Sequence, residues 1–245
     1  MHYSRAPISE AVIDLRTEFL APPTVAELEA VALKFGDTLP LRQQVNSMAF
    51  SLAATESSPD LVGSASSSTL GVRLSSPSND RVLQLLRHGL AYSHLPPYTN
   101  WQTFLGGLRP LWDRFATDFR VQSVSRVAVR YINRIPVPNG VDVDEYLALG
   151  ARIPEQVSKQ IIGYFMQLVL PVSDLGPQYR AVINTGVEPG TAPNPAALLL
   201  DIDVFCEGRF DVASEEIWAV LERLRRKKNE IFEASITDKV RELIR

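Results

Sequence analysis

Ile8-Ser9-Glu10-Ala11-Val12-Ile13-Asp14-Leu15-Arg16-Thr17-Glu18-Phe19 (residues 8–19) sets Ala11, Ile13, Leu15, Thr17 and Phe19 against Val12, Asp14, Arg16 and Glu18. Alternation with a period of two predicts a strand with one apolar and one wet face. The same signal returns downstream at a constant offset. Ile8-Ser9 recurs as Val124-Ser125, Leu105 as Leu221 and Leu108 as Leu224, each 116 positions later. An offset without drift predicts a duplicated unit, residues 7–119 and 123–232, whose halves sit about a pseudo-two-fold axis and build one sheet or open barrel.

Working outward, Pro22-Pro23 ends the first strand, and Thr24-Val25-Ala26-Glu27 has the spacing of a capping box. Leu28, Val31 and Phe35 carry a helix from there to Gly36. Strands are predicted at Arg42–Ala53, Thr69–Ser75 and Arg81–Ser93, with Ser76-Pro77-Ser78-Asn79-Asp80 as the turn between the last two. Thr99-x-x-Gln102 opens a helix toward Phe119, in which Pro110 removes one hydrogen bond and predicts a kink or break. The second half repeats the order with a strand at Val121–Ile135, a short helix at Val143–Leu149 and strands at Lys159–Val172, Tyr179–Val187 and Ala196–Cys206. Residues 188–195 form the intervening turn. A closing helix starts near Ser214, with Glu215 and Glu216 in its first turn and a stripe of Ile217, Trp218, Leu221, Leu224 and Ile231. A short helix, Ile236–Ile244, ends the chain. The expected fold is α+β: a βαβββα unit used twice, forming a mainly antiparallel sheet or open barrel packed by two long helices, in a single domain over residues 1–245.

The 245 residues are 45% hydrophobic and 22% charged, ordinary globular material. The net charge of −3 gives no basic footprint for a nucleic acid or a membrane surface. Cys206 is the only cysteine, so no intramolecular disulfide can form, and the amino terminus lacks the apolar core of a signal peptide. The longest aliphatic run, Ala196–Leu200, is far below the ~20 residues that a membrane-spanning helix needs. A soluble cytoplasmic protein is expected.

Chemistry-bearing signals are few. Arg126, Arg130 and Arg134 share one side of the strand that repeats residues 8–19, and Asp14, Arg16 and Glu18 share one side of the first strand. Asp201 and Asp203 do the same on the last strand. The plainer reading is the solvated side of an antiparallel sheet. The sharper one makes Arg16, Arg130, Arg134 and Arg87 an anion-binding set, with Arg73 adding to it and Asp201 and Asp203 as cation-binding carboxylates. Cys206 reads as a buried apolar residue. His88 and His94, with no further ligand near in sequence, make a poor metal site. Arg225-Arg226-Lys227-Lys228 reads as a solvated helix face offset by Glu222, Glu230 and Glu233. The six serines among residues 57–68 read as a surface loop. No nucleophile and base, dinucleotide loop, metal cluster or cofactor motif is present, so no catalytic residue and no cofactor is assigned.

Several segments read together resemble a known group. Ala6-Pro7-Ile8-Ser9-Glu10-Ala11, Pro96-Pro97-Tyr98 with Trp101 and Phe104, Arg130-Tyr131-Ile132-Asn133-Arg134-Ile135 with Pro136 and Pro138, Leu200-Asp201-Ile202-Asp203, and Lys228-Asn229 with Phe232 look like a sporadically distributed, uncharacterised family of bacterial and archaeal proteins of about this length. The resemblance covers nearly the whole chain. It implies no activity; scattered occurrence implies a conditional role, as in mobile-element, toxin-antitoxin or phage-defence systems. The expectation is therefore a non-catalytic binding or regulatory protein with a protein partner. The alternative is a sensor or enzyme that holds an anionic small molecule on the mixed-charge sheet face.

Overall fold

The computed structural model describes residues 3–55, 58–140, 142–150, 163–190 and 195–245, with residues 154, 156, 157 and 161; residues 47–55 and 58–68 are described by their backbone alone. Nine strands form one antiparallel sheet: β1 (Ile8–Glu18), β2 (Leu41–Thr55), β3 (Ser58–Ser75), β4 (Arg81–Leu86), β5 (Gly89–His94), β6 (Ser123–Pro136), β7 (Phe165–Pro171), β8 (Tyr179–Glu188) and β9 (Ala197–Phe210). Their order across the sheet is β2-β3-β4-β5-β1-β6-β9-β8-β7. The fold is α+β, and the sheet is not closed: β2 and β7 end it, each paired on one side only among the described residues.

Four helices accompany it among the described residues: α1 (Val25–Ala32), α2 (Trp101–Asp118), α3 (Glu216–Ser235) and α4 (Asp238–Ile244). α1 packs against β3 and β4, α2 against β5, and α3 against β6 and β9. The apolar side of the alternating strands makes the core under these helices: Ala11, Ile13 and Leu15 from β1, Val127, Val129 and Tyr131 from β6, and Ile202, Val204 and Cys206 from β9 are all buried in one cluster. Trp101, Phe104, Leu108, Trp112 and Phe115 of α2 meet them from above, as do Ile217, Leu221, Leu224 and Phe232 of α3. No described helix is long and apolar enough to cross a membrane.

The capping box forms as its spacing predicts. Thr24 N donates to Glu27 Oε2 at 2.8 Å and Glu27 N to Thr24 Oγ1 at 3.3 Å. Elsewhere local readings change. The predicted strand Arg81–Ser93 is a hairpin, because Arg87-His88 turn the chain and Gly89, at φ +147°, carries it where a Cβ would sit 2.1 Å from the Leu15 carbonyl oxygen. This gives nine strands among the described residues in place of the expected eight. The serine-rich residues 58 and 63–68 lie in β3, paired along β2, and are not a loop; Ser57 lies outside the described residues. α2 runs unbroken through Pro110, and its cap is Asn100, whose side chain accepts from Thr103 N at 2.8 Å, in place of the expected Thr99. The helix expected at Val143–Leu149 is a single 3₁₀ turn, Val143–Glu145. Of the strand expected at Lys159–Val172, β7 covers Phe165–Pro171, and residues 158–160 and 162 lie outside the described residues.

Candidate ligand-binding site

The side of the sheet away from the helices carries the charges that the alternation predicts. β1, β6 and β9 are neighbours, so Asp14, Arg126, Arg130, Asp201 and Asp203 meet on one face. Arg130 donates through Nε and Nη2 to both oxygens of Asp201, at 2.8 and 2.7 Å, and Asn184 Nδ2 donates to the same carboxylate at 2.9 Å. Arg126 bridges Asp14 at 2.6 Å and Asp203 at 2.7 Å while lying over the Phe205 ring. Arg16 Nε stands 3.5 Å from Asp14, and Arg134 pairs with Glu188. Burial pushes the Asp203 carboxyl up in spite of Arg126.

Arg87 is not part of this face group. It sits at the β4–β5 turn and donates to the Pro23 carbonyl at 3.2 Å, and Arg73 of β3 donates to Gln43 of β2 at 3.5 Å. Three arginines (16, 126 and 130) and three aspartates (14, 201 and 203) thus neutralise one another across adjacent strands. Such a face presents little net field to an anion. Asp201 has both oxygens engaged by Arg130 and Asn184. Among the described residues no group of three or more His, Cys, Asp and Glu side chains is arranged to hold a metal ion.

The helix side of the sheet holds something different. A cavity of about 1240 Å³ opens between α3, the segment Tyr3–Ile8, the segment Pro96–Asn100 and the end of β6. Each wall follows from a local cause. Tyr131 and the buried Asn133 point to the helix side because they continue the inward alternation of Val127 and Val129 on β6. Asn133 Nδ2 donates to the Leu200 carbonyl at 3.0 Å, which fixes the amide against β9. The amino-terminal segment is strapped across the opening: Tyr3 OH donates to Glu233 Oε2 at 3.0 Å, Arg5 N to the Ile244 carbonyl at 3.1 Å, and Arg134 N to the Pro7 carbonyl at 2.8 Å. Tyr98 reaches in to share a 2.6 Å hydrogen bond with the Tyr131 hydroxyl, and its ring meets Tyr131, His94 and Phe104 edge-on. Trp101 Nε1 donates to Glu222, which also accepts from Arg225 at 3.3 Å.

Lys228 is the unusual member. Its spacing from Leu221 and Leu224 continues the apolar stripe of α3, which carries it under the helix with 7% of its surface exposed. The ammonium lies 3.7 Å from the centroid of the Tyr131 ring. Among the described residues no carboxylate or carbonyl pairs with it. The nearby carboxylates are taken: Glu230 by Lys227, Glu233 by Arg241 and Tyr3, and Glu222 by Arg225 and Trp101. Burial, and then the Arg225 charge, push the Lys228 amine down to about 7. Burial also pushes the Tyr131 hydroxyl well up.

The sequence reading gave Lys228 to a solvated basic run. The signal that finds it is the helical period, which separates Lys228 from the exposed Arg226 in the same run. Four segments far apart in the chain, at Pro7-Ile8, Pro96-Pro97-Tyr98 with Trp101, Tyr131 with Asn133, and Lys228-Asn229 with Phe232, meet at this cavity. Cys206 lies buried in the core, and burial raises its thiol. Comparison with protein-family models, with curated proteins and with solved structures finds no match to this chain.

Proposed function

We propose that this is a non-catalytic binding protein whose site is the cavity under the amino-terminal strap. One observation carries the reading: residues from four distant parts of the chain enclose about 1240 Å³ around a buried lysine that no described group pairs with. Aromatic and apolar walls, with Tyr98, Trp101, Tyr131 and Phe232, share the cavity with converging polar groups such as Asn133, Arg225 and Lys228, a combination that can bury and orient a small ligand. Among the described residues the walls place no histidine, cysteine or unpaired carboxylate beside Lys228 to act as a general base, which is why binding is preferred over catalysis. A protein that responds to a bound compound suits the conditional setting that the family resemblance implies.

The same reading takes the two halves as copies of one unit, of which only one keeps the site. With the β4–β5 hairpin taken as the counterpart of β9, the strand order outward from the β1–β6 ladder is β1, β5-β4, β3, β2 on one side and β6, β9, β8, β7 on the other. Ile13 pairs with Val129, Ala11 with Tyr131 and Leu15 with Val127, which is the register that a two-fold axis through Ile13 and Val129 gives for an offset of 116. Leu108 and Leu224, also 116 apart, are both fully buried. The counterpart of Lys228 is Trp112, 2% exposed, and the surface around Trp112, Ala116 and Asp211–Ala213 encloses only about 330 Å³.

Native mass spectrometry of the protein incubated with a small-molecule cell extract tests the site. The wild type retains a compound of unchanged mass, and Asn229→Trp, which places an indole at the cavity wall without touching the core, loses it. Equal retention by both proteins would remove the cavity as the site, and a compound returned with altered mass would make the protein an enzyme.

A further inference from the structure

Lys228 makes no ion pair or hydrogen bond with any described residue, is more than nine-tenths buried, and faces an aromatic wall. An ammonium held in this way is costly to bury unless something supplies a counter-charge, so helices normally fill such positions as α2 does with Trp112. Arg225 stands one turn earlier on the same face of α3, its guanidinium 5.7 Å from the Trp101 ring centroid. Glu222 occupies part of Arg225 and leaves Lys228 as the uncompensated charge.

We infer that the cavity takes an aromatic organic anion, its carboxylate or phosphate seated on Lys228 beside Arg225 and its ring against Tyr98, Tyr131 and Trp101. This rests on the binding function proposed above and adds the chemical class of the ligand. An anion on the Nζ supplies the missing counter-charge as a charge-assisted hydrogen bond, which is stronger than a neutral one. The flat walls favour a ring by stacking and edge contacts.

A proton is linked to this binding. The titratable groups that line the cavity with Lys228 are Arg225, Glu230 and Glu233 from α3, Tyr131 from β6, Tyr98 from the segment before α2, and Tyr3 and Arg5 from the strap; Glu222 of α3 is held by Trp101, and His94 of β5 stands behind Tyr98. The carboxylates are already paired and the tyrosines stay protonated near neutrality, so the amine is the group that changes. An anion holds it protonated. With a ligand ionised throughout, affinity is level below pH 7 and falls about tenfold per unit above it, because each binding event must then take up a proton.

Calorimetric titration of the intact protein tests this with naphthalene-2-carboxylate, its neutral carboxamide and phenyl phosphate, for the wild type and Lys228→Met. The expected result is binding of the carboxylate or the phosphate at least tenfold tighter than the carboxamide, a preference lost in Lys228→Met and weakened tenfold between pH 7.5 and 8.5. The tighter of the two anions identifies the head group. If Met at this position impairs folding, Lys228→Gln repeats the comparison. Equal binding of carboxylate and carboxamide, unchanged by substitution at Lys228, would overturn the anion while leaving the cavity as a binding site. If no probe binds, the compound retained from the extract decides: an anion lost with Lys228→Met supports the inference, a neutral compound overturns it, and no cavity-dependent compound at all removes the binding function with it.

Discussion

Lys228 also sets a stability that depends on pH in the free protein. In the unfolded chain its amine has a pKa of about 10.4, and in the folded chain burial lowers it to about 7. Between those values the unfolded state holds a proton that the folded state has released, so stability rises with pH across this window by up to about 1.4 kcal/mol per unit. Below pH 7 both states are protonated and the full penalty of burying the charge applies. Denaturant unfolding of Lys228→Met is expected to show a higher midpoint than the wild type at pH 7, with the gap closing toward pH 10. A wild type whose stability is flat from pH 7 to 10 would show that the amine is not buried as described. Arg126 is the opposite case, a cation whose charge is neutralised from two strands by Asp14 and Asp203. Its contribution is to allow those two carboxylates to share one face of the sheet.

At the scale of elements, α2 shows how tertiary packing overrides local preference. Gly106, Gly107 and Pro110 all disfavour a helix, yet α2 is continuous because Trp101, Phe104, Leu108, Trp112 and Phe115 are buried along one stripe. The two glycines differ in what surrounds them. A Cβ at Gly106 would meet nothing within 4 Å, whereas one at Gly107 would lie 2.7 Å from the Tyr92 hydroxyl, whose ring is stacked on Phe104. Gly106→Ala is expected to stabilise the protein by about 0.5–1 kcal/mol and Gly107→Ala to destabilise it, both read from thermal unfolding. A destabilising Gly106→Ala would mean that the helix needs the glycine there for curvature around Pro110.

At the scale of the whole molecule, the β1–β6 ladder joins the two halves, and each half alone would leave one of these strands as a long unpaired edge with an apolar face. Fragments 1–120 and 121–245 are therefore expected to aggregate when made separately and to recombine into a 1:1 complex when made together, measured by size-exclusion chromatography with light scattering. A monomeric, cooperatively unfolding single fragment would instead make that half an independent domain. The helix packing supports joint folding, since Trp101 of the first half bonds Glu222 of the second and Arg109 pairs with Glu215.

Period-two alternation in residues 8–19 and 121–135 was enough to predict strands with one charged side, because side-chain direction in a strand depends only on sequence parity. The capping box at Thr24 and the apolar stripes of α2 and α3 were legible for the same reason: each depends on neighbours within a turn or two. The turn at Arg87-His88 was not, since neither residue is a strong turn former and the reversal relies on Gly89 approaching the Leu15 carbonyl of a distant strand. Nor could the alternation show which arginine meets which carboxylate, as strand order across the sheet is a long-range property. The cavity belongs wholly to the tertiary structure. Tyr3, Tyr98, Tyr131 and Lys228 are spread over most of the chain, and only the packing of α3 on β6 under the strap turns a lysine that looks like solvated surface into a buried, uncompensated charge.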